Sequence, residues 1–72
     1  MSKVIVYPNL EGKIAERGIK KSAIANRLDI TSRSLSNKMS GRNAFTWEEV
    51  VAIQSNFFPD LTKDYLMQTT IL

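Results

Sequence analysis

An all-α fold, a compact bundle of four to five short helices, is what this 72-residue chain predicts. Three observations carry that expectation. Apolar residues recur at spacings of three and four along several short stretches. Residues that cap helices precede those stretches, and glycine or proline follows them. The apolar content, 43%, is ordinary for a folded domain. One domain over residues 1–72 is expected, with its core at about 9–66. A short extended segment at 3–7 and a tail at 67–72 flank it. With no cysteine, neither a disulfide nor a thiolate-held zinc is available.

Each element has its own signal. Val4-Ile5-Val6-Tyr7 favours extended backbone, and Pro8 biases Tyr7 away from helical angles. Asn9 is a candidate cap for a first helix with Leu10, Ile14 and Ala15 on its inner side, ended by Gly18. A second helix is expected from Lys21 to Leu28, with Ile24 and Leu28 on one face and Ala25 small enough for close approach. Asp29 tolerates left-handed angles and opens a short turn, from which Ile30 tucks inward. Thr31 then caps a third helix, Ser32 to Met39, with Leu35 and Met39 inside and Ser40-Gly41 as its stop. Thr46 and Glu49 form a capping box for a fourth helix, and Phe45 with Val50 offers a hydrophobic staple. Val50, Ile53 and Phe57 make its stripe, flanked by Trp47, and Pro59 ends it. Asp60 or Thr62 caps a short last helix with Leu61, Tyr65 and Leu66.

The composition also narrows function. There is no histidine, no calcium-loop spacing and no glycine-rich phosphate loop. The serines and threonines lack a histidine base, so nucleophilic catalysis of that kind has no partner residue. The chain is expected to be no enzyme, with no cofactor and no metal. Near the start only Val4 to Val6 are successive apolar residues, and no apolar run approaches a membrane span. A cytoplasmic protein is expected. Charge is segregated: residues 1–42 hold nine Lys/Arg against three Asp/Glu, and residues 43–72 hold one lysine against four acids. Such a balance suits a basic surface that meets a polyanion, although solvated faces alone would also account for it.

The segment IKKSAIANRLDITSRSLSNKMSG places two short helices around a tight turn, and the second has a short, polar outer face. A helix of that size fits the major groove of B-DNA. Here the chain resembles the helix-turn-helix regulators of the phage repressor and Cro-like superfamily, whose second helix of the motif lies in that groove. The resemblance runs over roughly residues 10–57. It rests on Ala25, Leu28, Ile30, Leu35, Ser36 and Gly41, and on LSNKMSGRNAFTWEEVVAI and FFPDLTKDYL, which are similar to small phage and prophage regulators of Gram-positive bacteria. Asp29 departs from the glycine usual in the turn. Lys38 and Met39 depart from an apolar residue and an acid.

The resemblance implies a λ repressor-like DNA-binding domain that acts as a transcriptional repressor in the cytoplasm of a bacterial host cell or associated with its nucleoid. Ser32, Arg33, Ser36 and Asn37 would contact bases. Lys20, Lys21, Thr31, Arg42 and Asn43 would contact the DNA backbone. Arg33 suits guanine O6 and N7, with a phosphate contact or a solvated side chain as the alternatives; Asn37 suits adenine or water equally. Lys13, Arg27 and Lys38 either assist or stay solvated. The expected partner is a double-stranded operator, bound by a homodimer. Val4, Val6, Trp47, Phe57, Phe58 and Tyr65 are the candidate protein interface. The same resemblance admits a second reading, an antirepressor-like modulator that binds a phage repressor protein. The acidic, aromatic C-terminal half would serve that role.

Overall fold

A computed structural model describes residues 5–69. Five helices follow in order: α1 (Pro8–Glu16), α2 (Lys21–Leu28), α3 (Ser32–Met39), α4 (Trp47–Phe57) and α5 (Lys63–Leu66). No strand occurs among the described residues. α2 packs on α3 and α4, while α5 packs on α4 and α1. One core joins them, built from Leu10, Ile14, Ile24, Ala25, Leu35, Met39, Ile53, Phe58 and Leu66. Tyr7, Ile19, Leu28, Ile30, Phe45, Phe57, Leu61 and Met67 pack around it, half-buried.

α1 starts earlier than capping by Asn9 requires. Pro8 is its first residue, where the missing N–H costs nothing, and Tyr7 precedes it without a side-chain cap. The Asn9 side chain instead donates to the Tyr65 carbonyl (2.9 Å) and to Gln68 Oε1 (3.0 Å), closing α1 onto α5. Ala15 is exposed rather than inward. It follows Ile14 by about 100° of helix rotation, which carries it off the Leu10/Ile14 seam.

The ends of α1, α2 and α3 share one device. Gly18 N–H bonds Ala15 O and Ile19 N–H bonds Ile14 O. Asp29 and Ile30 repeat the pattern onto Asn26 and Ala25, and Gly41 and Arg42 repeat it onto Lys38 and Asn37. These paired bonds satisfy the last carbonyls and need a left-handed residue. Gly18 (φ 63°), Asp29 (φ 59°) and Gly41 (φ 86°) supply it. Asp29 alone of the three carries a Cβ there. Asp29→Gly is therefore expected to stabilise the protein by about 0.5–1 kcal/mol, strain relief exceeding the added unfolded-chain entropy. A urea melt checks this; a lower midpoint would show that the aspartate side chain stabilises the turn.

Threonine opens the later helices. Thr31, Thr46 and Thr62 hydroxyls accept from Ser34 N–H (3.0 Å), Glu49 N–H (3.1 Å) and Tyr65 N–H (3.1 Å). At α4 the capping box is complete, with Thr46 N–H donating to Glu49 Oε1 at 2.8 Å. Of the two candidate caps for α5, Thr62 makes the bond. The turn before it is closed by Gln54, whose side-chain amide donates to the Phe58 and Leu61 carbonyls at 3.3 and 2.9 Å.

Candidate nucleic-acid interface

α3 owes its orientation to Leu35 and Met39, which are 1% and 4% exposed in the core. By helical spacing Arg33 and Asn37 then lie far from that seam, and Ser36 lies on its flank. Ser32, Arg33 and Ser36 are exposed and Asn37 is half-buried. None of these four side chains has a hydrogen bond or ion pair to the described residues. Their donors and acceptors are left for water or a ligand. Ser36 borders a groove that also touches Ile5, Glu11 and Lys21. Thr31, expected to touch the DNA backbone, has its hydroxyl committed to Ser34.

The ion pairs redistribute the basic half. Lys13 holds Glu16 at 3.0 Å and Lys21 holds Glu11 at 3.0 Å. Arg17 donates to Asp60 from both terminal guanidinium nitrogens, Nη1 and Nη2, at 3.0 and 2.7 Å. That contact raises the Arg17 pKa and holds the Asp60 carboxyl below its ordinary value. Lys38 holds Glu49 at 3.1 Å. Lys20, Arg27, Arg33 and Arg42 make no ion pair among the described residues. All four belong to the stretch from Lys20, which precedes α2, to the loop after α3. Among the described residues of the basic half, the cations without a carboxylate therefore flank or occupy α2 and α3. Lys21 differs from Lys20 in this respect, because Glu11 already compensates its charge.

Lys38 is a half-buried cation in a network rather than a solvated one. Its ammonium donates to the Ala44 carbonyl at 3.1 Å and faces Glu49, with both side chains only 15% exposed. Burial pushes the Glu49 carboxyl up, but the Thr46 N–H and the Lys38 ammonium together outweigh it. Glu49 ends below the usual carboxylate range. Between these anchors, Arg42 and Asn43 N–H groups both bond Asn37 O, at 2.9 and 3.2 Å.

The expected protein interface needs correction. Phe58 is 0% exposed and sits in the core, beneath the Arg17 guanidinium at 5.3 Å from its ring. Val6 is buried too, because it lies over Gly41; a Cβ there would come within 3.2 Å of Val6 Cγ2. Phe57 is half-buried against the core. Val4 lies outside the described residues. Trp47, 69% exposed, and Tyr65, 38% exposed, keep open surface. Lys63 stands over the Trp47 ring at 5.8 Å. The Arg17–Asp60 and Lys38–Glu49 pairs escape sequence reasoning. They join separate elements, so no i,i+4 spacing could announce them.

No helix of the described residues is long and apolar enough to cross a membrane, and no group of three acidic, cysteine or histidine residues among them is placed to hold a metal ion. Comparison with family models, curated proteins and solved structures gives no match to the chain.

Proposed function

We propose that the protein is a sequence-specific DNA-binding transcriptional regulator of the helix-turn-helix, Cro-like kind, with α3 read into the major groove. One observation carries the reading: α3 presents Ser32, Arg33, Ser36 and Asn37 without side-chain partners among the described residues, while Lys20 before α2 and Arg42 after α3 make no ion pair among them. Short or planar donors on a helix are what base edges require, and cations on either side suit phosphates. Two copies on one operator complete the proposal. A single small domain covers little DNA, and paired half-sites supply the missing contacts.

Selection of duplexes from a random pool at low salt, followed by footprinting, tests this. The expected result is enrichment of two related half-sites with centres about 34–36 Å apart. Affinity should fall steeply with salt, since phosphate contacts release counterions. Failure to enrich any sequence would sink the reading. The exposed Trp47 favours a second reading, a modulator of another DNA-binding protein, since aromatic anchors are typical of protein interfaces. Under that reading Trp47→Ala abolishes binding to a repressor partner, and duplex selection stays flat.

A further inference from the structure

Lys38 has a reach that its place in the helix does not suggest. It stands one residue before Met39, at the end of α3, yet its ammonium extends forward to the far side of the next loop. There it meets Ala44 O and Glu49 Oε1, each at 3.1 Å. Glu49 is itself fixed by the Thr46 N–H at 2.8 Å. At the near side of the same loop, Asn37 O accepts from Arg42 and Asn43 N–H and from Ser40 Oγ at 3.1 Å. The loop is thus clamped at both ends, by Asn37 near α3 and by Lys38 near α4. Two of its exposed residues, Arg42 and Asn43, have no side-chain partner among the described residues.

We propose that the Lys38–Glu49 bridge is a positioning device: it holds the loop after α3 so that Arg42 presents its guanidinium to a phosphate beside the groove that α3 enters. The inference rests on the DNA-binding reading above. Lys38 does not touch DNA in this role; it acts through Arg42. A half-buried pair suits the task, since neither partner is free to follow solvent and loss of one leaves the other uncompensated.

Two variants separate the bridge from its surroundings. Lys38→Met keeps the stem's bulk and removes the ammonium. Glu49→Gln removes the charge but keeps an oxygen that accepts from Thr46 N–H, so the capping box survives. Both should melt cooperatively. Amide exchange at Arg42 and Asn43 should quicken about tenfold or more in each, with α2 amides unchanged. On a selected duplex each should lose about tenfold in affinity and about one unit of salt slope, one phosphate contact. Arg42→Ala should cost nothing further in the Lys38→Met background, and Lys38→Arg should restore the slope.

Unchanged exchange at Arg42 and Asn43 would overturn the proposal. So would losses from Lys38→Met and Arg42→Ala that multiply. Tighter binding by Glu49→Gln would also overturn it, making Lys38 a direct phosphate contact. If the wild-type chain selects no duplex, the function proposed above falls. Exchange rates then decide the clamp, and the link to phosphate falls with the function.

Discussion

Phe58→Ala is expected to unfold most of the protein at room temperature. Phe58 is completely buried, although it lies one residue past the end of α4. Its ring belongs to the same core cluster as Leu10, Ile53 and Leu66, and the Arg17 guanidinium stands over it. Truncating a buried phenylalanine costs about 3–5 kcal/mol, as lost transfer energy plus the cavity left behind. A single core in a chain this short rarely supplies more than about 3–5 kcal/mol in total. The loss is therefore comparable to the whole stability. If any cooperative transition survives, its Tm should fall by at least about 12 °C. Trp47→Ala is the contrast. The larger aromatic is 69% exposed, so its removal should change stability by no more than about 0.5 kcal/mol. Paired thermal melts by far-UV circular dichroism test both. A Phe58→Ala melt matching wild type would mean that the ring does not anchor the core.

These two aromatics mark where the sequence was readable and where it was not. Helix starts and stops are local events. Thr31 before α3, the Thr46/Glu49 box and Asp29 in the turn lie within a few residues of the groups they satisfy, so spacing alone exposes them. The inner faces of α2 and α3 are equally legible, because Ile24, Leu35 and Met39 follow the helical period. Phe58 follows no period. It turns inward because the chain reverses after α4, and that reversal depends on Gln54 reaching the Phe58 and Leu61 carbonyls. Val6 is buried for a tertiary reason as well, the bare backbone of Gly41 beneath it. Charge shows the same division. Counting by halves finds the basic excess, but Arg17 and Lys38 draw their counterions from the acidic half. The free cations on and around α2 and α3 become visible only when those pairs are subtracted. The all-α class, the helix ends other than the start of α1, and α3's polar face could thus be read from local chemistry; Asn9, the expected cap of α1, is drawn to α5 instead. The assignment of exposed aromatics and of cations to free or paired roles could not.

Arg33→Ala is expected to cost the most in recognition. Arg33 is the second residue of α3, exposed, and free of any ion pair among the described residues. It stands on the helix's first turn, where the proposed docking geometry brings side chains to base edges. A guanidinium there donates two bonds to guanine O6 and N7, worth about 1–3 kcal/mol of discrimination. The variant should lose roughly 5- to 150-fold on a selected site. It should lose much less on scrambled duplex, and one base position should become tolerant of substitution. The fold should be untouched, because the side chain buries nothing and caps nothing. Arg42→Ala provides the control of opposite character. Its loss should fall almost equally on selected and scrambled duplexes and should lower the salt slope by about one. Lys21 is a poorer control, since Glu11 at 3.0 Å already compensates its charge. Binding isotherms at several salt concentrations, on the selected site, its single-base variants and a scrambled duplex, separate these outcomes. Equal loss on all duplexes for Arg33→Ala would make it a phosphate contact, and base reading would pass to Asn37 and the serines. No loss on any duplex would remove α3 from the interface.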